Sequence, residues 1–172
     1  MTHDADAGEP APVIRQATSA DAGGLAALAF RTSGLPESER GDFSPAGKAA
    51  EIARDNIVTL LALVAGAPVG YLQLRSGPLP ACVAGVRPMQ LWRIYVDSEF
   101  HGRHIASKLL SAAAAAMAAR DVDTVWLGVQ PDNLRAQRFY QKSGFRPVGT
   151  TSCHDGSDDR VFACALSELA PS

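Results

Sequence analysis

Cysteine is scarce in this 172-residue chain: Cys82, Cys153 and Cys164 are the only three, and none stands at metal-ligand spacing from another. That excludes a disulfide framework and a cysteine-built zinc site, and it points to reduced thiols in a cytoplasmic setting, with no metal expected. Basic charge is not in excess either. Sixteen Lys and Arg stand against 18 Asp and Glu, for a formal net charge of −2. A nucleic-acid binder would show a basic face, and the pair Arg135 and Arg138 reads as a solvated one. No apolar run approaches the roughly 20 residues a membrane span requires. Ile57–Val64 is too short, and the first residues lack a signal-peptide core. Neither a nucleic-acid nor a membrane partner is expected. No internal repeat is present.

What is there fits one domain. Residues Met1–Pro12 are small, acidic and proline-bearing, so a disordered tail is expected over 1–12 and a single folded domain over 13–172. The patterning predicts strands over Val13–Ala17, Ile57–Ala65, Pro68–Arg75, Leu91–Val96, Thr124–Val129, Phe145–Thr151 and Arg160–Leu166. Helices are predicted after Thr18–Asp21, from Ile105 onward and over Asn133–Ser143, with a helical turn at Ala49–Asp55. A hairpin is expected at Gly66-Ala67, and loops over Thr32–Lys48, Ser76–Pro88 and His154–Asp159. The order β-α-β-β-β-α-β-α-β-β is mixed α/β, one central sheet with helices on both faces.

Two stretches carry chemistry. Leu91–Leu110 reads strand, tight loop, helix, and the loop His101-Gly102-Arg103-His104 opens a helix with an alanine tract at 112–116. The first turn of such a helix has unpaired N–H groups and the positive end of the helix dipole, which together favour a phosphate. In Gln130–Phe145, Asp132 or Asn133 can cap a helix. Ala136 and Tyr140 then share a face four residues apart, and Gly144 stands where a left-handed cap would end it.

Together these stretches resemble the GCN5-related N-acetyltransferase (GNAT) superfamily. His101 to Ala106 is similar to its Gln/Arg-x-x-Gly-x-Gly/Ala loop, with His101 in place of Gln or Arg and His104 in place of a Gly. Asn133, Ala136, Phe139, Tyr140, Gly144 and Phe145 resemble its Asn-x-x-Ala-x-x-Phe-Tyr and Gly-Phe. Within the superfamily the chain is closest in motif to the PaiA-like spermidine/spermine acetyltransferase group, which adds the acidic stretch Asp155–Asp159.

The resemblance implies a GNAT-like sheet and acetyl-CoA as co-substrate. It implies that Ile94, Tyr95 and Val96 meet the pantetheine arm. His101, Gly102, Arg103, His104, Ile105, Ala106 and Ser107 would hold the pyrophosphate, and Asn133, Ala136, Tyr140 and Lys142 would complete the cofactor side. Tyr140 would be the acid to the departing thiolate; its other reading is a core aromatic. The implied reaction is direct attack by a primary amine of a small molecule, with a polyamine included, on a monomer or homodimer. A protein N-terminal or lysine acetyltransferase and a non-catalytic CoA-binding sensor stay open.

No general base is chosen. Where family members often carry Glu, this strand has Trp92, which reads as core in preference to acceptor-pocket wall. Glu99, His101, His154 and Asp158 are candidates, and each also reads as a surface residue. His104 is either a phosphate contact or a solvent-facing loop residue.

Overall fold

A computed structural model describes residues 10–36, 43–152 and 158–170. The centre of the fold is set by the run Ile57–Val64 (β2), which is buried at every position and so has no solvent face. Such a strand needs partners on both edges and cover on both faces. Its edges are taken by Val13–Gln16 (β1) and Ala67–Arg75 (β3), and the sheet continues through Pro88–Val96 (β4), Thr124–Val129 (β5), Asp158–Ala165 (β7) and Arg146–Ser152 (β6). Every neighbouring pair is antiparallel except β4 and β5. A parallel pair needs a long crossover. Here the helix Ile105–Ala118 (α3) supplies it.

The faces are covered unequally. Helix Ala22–Ser33 (α1) packs Leu25, Leu28 and Ala29 on Leu61 and Tyr71 of the sheet, with Phe43 and Ile52 at the margin. The opposite face is the larger core. There Ile105, Leu109, Leu110, Ala113 and Met117 of α3 and Tyr140 of helix Leu134–Lys142 (α4) pack on Leu60, Leu72, Leu74, Leu91, Val125 and Leu127. Leu109 and Leu110 are fully buried. Truncating either to Ala would cost about 2–5 kcal/mol.

The expected order holds, with differences at the edges. The turn expected at Ala49–Asp55 is a full helix, Pro45–Ile52 (α2). Ser44 caps it by accepting the Gly47 N–H, and Pro45 opens it, where a missing N–H costs nothing. The hairpin turns at Ala65-Gly66, one residue earlier than expected, with φ of 49° and 81° as a tight turn between twisted strands requires. β4 starts at Pro88, three residues before the β-branched run that marks it in the sequence. Cys153, His154, Asp155, Gly156 and Ser157 lie outside the described residues, as do residues 1–9 of the expected tail.

Two features of β4 shape the site. Gln73 pairs with Arg93 but Leu74 pairs with Leu91, so Trp92 is an extra residue in a bulge. Pairing with β5 covers only Pro88–Gln90 against Thr124–Trp126. Beyond Gln90 the two strands part.

Candidate active site

The parted strands leave backbone groups without a sheet partner. The Asp97 N–H donates to Val69 O at 2.9 Å, which turns Asp97, and by strand alternation Tyr95, toward β3. Ile94 and Val96 therefore present their N–H and C=O groups to the gap, where Val96 O already accepts from the His101 ring at 3.0 Å. A cavity of about 550 Å³ occupies the gap. Ile94, Tyr95 and Val96 form one wall and Asn133, Ala136 and Tyr140 the other. Arg31 and Gly34 at the end of α1 close it, and an Arg31–Asp97 ion pair at 3.2 Å ties that end to β4.

The loop before α3 continues the gap. Gly102 has φ 83° and His104 φ 57°, so His104 holds the left-handed conformation that glycine adopts at no cost. For a histidine that conformation costs about 1–2 kcal/mol. The first helical bond runs from Lys108 N to His104 O at 3.0 Å, which leaves the N–H groups of Ile105, Ala106 and Ser107 outside the helical ladder. Gly102, His104, Ile105, Ala106 and Ser107 line a second cavity of about 210 Å³, and Val96, His101 and Ala106 belong to the walls of both. Gly70 lets α3 sit this close, since a Cβ there would stand 3.1 Å from Tyr95 O and 3.3 Å from Ile105 Cγ2.

His101 bridges the two walls. Its Nε2 donates to Val96 O, so Nδ1 is the acceptor for Arg135 Nη2, 3.3 Å away at the start of α4.

Across the gap, Asn133 Oδ1 caps α4 by accepting the Ala136 N–H at 3.1 Å. Tyr140 is 8% exposed and meets Phe139 and Phe145 edge-on, with ring centres 5.4 and 5.7 Å apart. Its hydroxyl makes no hydrogen bond to a described residue. Burial, reinforced by Tyr95, pushes the Tyr140 hydroxyl well above the ordinary phenol range, so it keeps its proton. Gly144, at φ 98°, ends the helix with Phe145 N–H on Tyr140 O at 3.0 Å; a side chain at Gly144 would run into the Glu168 carbonyl.

The residues expected from the sequence thus fall into groups. Ile94, Tyr95, Val96, His101, Ala106, Asn133, Ala136 and Tyr140 line the first cavity; Gly102, His104, Ile105 and Ser107 line the second. Arg103 lines neither and sets its guanidinium 4.8 Å from the Phe100 ring centre. Lys142 is exposed and also lines neither.

On the other side of Tyr95 lies a third cavity of about 280 Å³, lined by Ser33, Leu35, Phe43, Lys48, Tyr71, Arg93 and Tyr95 among others. Tyr71 and Tyr95 are cross-strand partners with ring centres 5.6 Å apart. Beneath them is a polar network that no motif in the sequence marks. Glu51 of α2 accepts from Lys48 Nζ at 3.0 Å, from Gln73 Nε2 at 3.1 Å and from Arg93 Nη1 at 3.3 Å. Gln73 also donates to Thr59 Oγ1 and accepts from Arg93. Burial alone would raise the Glu51 carboxyl, but hydrogen bonds from Gln73 and Lys48, with the charges of Lys48 and Arg93, hold it below the usual carboxylate range. The one local hint is the Lys48–Glu51 spacing of three on a helix.

Trp92 is not core. It is half-buried, and the guanidinium groups of Arg93 and Arg75 lie 3.7 and 4.3 Å from its ring centre, because the bulge turns it out of the pleat. Of the candidate bases among the described residues, only His101 lines the gap, and both its ring nitrogens are engaged there. Glu99 is exposed, Asp158 accepts from Ser152 Oγ at 2.8 Å, and His154 lies outside the described residues.

Comparison with known proteins agrees with this architecture. The profile of the acetyltransferase (GNAT) family matches residues 28–145. An uncharacterized N-acetyltransferase of Mycobacterium bovis is 34% identical over 104 residues, 60% of this chain and 62% of the relative's length. A [ribosomal protein bS18]-alanine N-acetyltransferase of Haemophilus ducreyi is 32% identical over 80 residues, 44% of this chain and 55% of that one. In fold, the chain matches the crystal structure of PaiA N-acetyltransferase from Thermoplasma acidophilum in complex with coenzyme A. That match has a TM-score of 0.71 at 20% identity and covers 90% of this chain and 99% of the other.

Proposed function

This chain belongs to the acetyltransferase (GNAT) family, and we propose that it transfers the acetyl group of acetyl-CoA to the primary amine of a small molecule by direct attack. The observation that carries the reading is the parting of β4 from β5 beside an α3 start whose N–H groups face a cavity. The open backbone edge at Ile94 and Val96 suits the amide-bearing pantetheine arm, which pairs with it as an added strand would. The N–H groups of Ile105, Ala106 and Ser107 suit the pyrophosphate.

Tyr140 supplies the hydrogen for the departing sulfur. Its raised hydroxyl stays protonated at neutral pH, and it has no competing partner among the described residues. Burial disfavours a thiolate as it disfavours the phenolate, so a hydrogen bond or proton delivered to the sulfur lowers the barrier where the charge develops. No side chain of the described site is poised as a base. The amine therefore enters neutral or loses its proton through water.

The narrower reading of the acceptor as a polyamine rests on the acidic stretch Asp155–Asp159. Only Asp158 and Asp159 of it are described; Asp158 is bonded to Ser152 and the Asp159 carboxylate lies over Gly128. A second reading, acetylation of a protein N-terminus, is favoured by the similarity to the bS18-alanine enzyme.

The test is a thiol-release screen of the purified protein with acetyl-CoA against polyamines, amino acids, aminoglycosides and peptides with N-terminal Ala. Small amines should release CoA thiol. Release with peptides alone would move the function to proteins. Acetyl-CoA binding with no release from any acceptor would make the chain a CoA-binding sensor.

A further inference from the structure

We propose that the acceptor carries a carboxylate as well as its amine, and that Lys48 and Arg93 hold that carboxylate in the third cavity. The proposal rests on the acetyl-transfer reading and narrows its acceptor.

The described lining of this cavity has two cations and no carboxylate. Glu51 lies behind the lining and neutralises one of the two charges, so among the described residues one positive charge is left over. The cations are also underused as donors. Arg93 bonds through Nη1 alone; its Nε and Nη2 reach no described residue. Lys48 Nζ makes one hydrogen bond out of its three. The hydroxyls of Tyr71 and Tyr95 bond to no described residue either.

These groups are held in place before any ligand arrives. Trp92 stacks on the Arg93 guanidinium at 3.7 Å and Gln73 Oε1 fixes its Nη1 at 3.0 Å. Lys48 is 5% exposed, so its long side chain has little freedom left to lose. Two cations already contact one carboxylate, at 3.0 and 3.3 Å. A second carboxylate from a ligand would complete an alternating set and use the idle fork of Arg93, which matches carboxylate geometry. A polyamine would instead bring further positive charge against the leftover one, in a half-buried setting where like charges repel strongly. Tyr95 is a wall of both this cavity and the one holding Tyr140. An acceptor anchored at Arg93 therefore extends its amine past Tyr95 toward Tyr140.

The same network could serve only to fasten α2 to the sheet. A fastening role leaves acceptor choice indifferent to a carboxylate, and the experiment separates the two. Wild-type protein is assayed by thiol release with matched acceptors: α-amino acids, their primary amides, their decarboxylated amines, and spermidine. The acids should exceed their amides in kcat/KM by at least about tenfold, the worth of one charge-assisted contact. The amide's amine is less basic, so more of it is neutral, which biases the comparison against the proposal. Lys48→Gln and Arg93→Gln should each erase the preference. Lys48→Gln leaves the Arg93–Glu51 pair in place, and an acetyl-CoA-induced rise in melting temperature verifies that either variant is folded.

Amides or spermidine turned over as well as the acids would overturn the carboxylate assignment and leave acetyl transfer standing. So would acetyl-CoA binding with no turnover of any carboxylate-bearing amine. A preference for acids that survives in both folded variants would overturn the roles of Lys48 and Arg93. A wild-type protein that neither binds acetyl-CoA nor releases thiol would overturn both readings.

Discussion

The two cavities that share Tyr95 are made of different material. On the α4 side backbone edges, small side chains and helix ends (Ile94, Val96, Ala106, Ala136 and the opening turn of α3) stand beside the side chains of Arg31, Asp97, His101 and Arg135, whose polar groups already bond one another or the backbone. On the α2 side the wall is a set of charged and polar side chains, Lys48, Arg93 and Tyr71, backed by Glu51 and Gln73. On the proposed reading, the backbone groups of the α4 side would meet what every acyl-CoA shares, its amides and phosphates. The side-chain-built surface is where the acceptor would be chosen.

The largest expected effect breaks the α4 side at one atom. Tyr140→Phe keeps the ring and its contacts with Phe139 and Phe145 but removes the hydroxyl. Steady-state turnover with the best acceptor should fall by about tenfold to a thousandfold, while acetyl-CoA affinity and melting temperature hold. Normal turnover would make Tyr140 a packing residue only.

The next effect falls on the α2 side and should appear as stability. Glu51→Gln leaves Lys48 and Arg93 facing each other with no counter-charge. Breaking a fully buried pair costs about 3–5 kcal/mol; with the Glu51 side chain still 19% exposed, about 1–3 kcal/mol is expected in denaturant unfolding. The wild-type contribution has a definite pH sign. The folded Glu51 value is depressed, so its stabilisation is complete above the ordinary glutamate value of about 4.3 and is lost as pH falls through the folded value. Wild type should lose stability below that point faster than Glu51→Gln does. Parallel acid profiles for the two would show that the network is not held by this carboxylate.

The difference between the cavities also explains what can be read from the sequence. The α4 side is legible because each part is local. Asn133 caps the helix that carries Tyr140, seven residues on, and Gly102 and His104 precede the helix they open. The α2 side is not legible because its bonds join Glu51 to Gln73 and Arg93, 22 and 42 residues away. Only the sheet register and the bulge at Trp92 bring them together, and neither leaves a local periodicity. That bulge also explains why Trp92, which reads as core, lies against two guanidinium groups. Helix α2 is longer than its sequence suggests for a different reason. Its Pro45 and Gly47 look like loop residues, but Pro45 is the first helical residue and Gly47 N–H is the donor to the cap.

The smallest effect sharpens the claim that the α4 side works through backbone. His104→Gly relieves a left-handed histidine, so the melting temperature should hold or rise by the equivalent of up to about 1 kcal/mol. Acetyl-CoA binding should be kept or tightened in a calorimetric titration. Weaker binding would show that the imidazole itself touches the ligand.

The most direct measurement is the melting temperature of the wild-type protein titrated with acetyl-CoA. A ligand that binds only the folded state at a hundredfold excess over its Kd adds about 2.7 kcal/mol. The gap between β4 and α4, continued by the α3 loop, predicts a melting temperature that climbs steadily with ligand, by several degrees for a chain of this size. A melting temperature that stays flat to millimolar acetyl-CoA would contradict it.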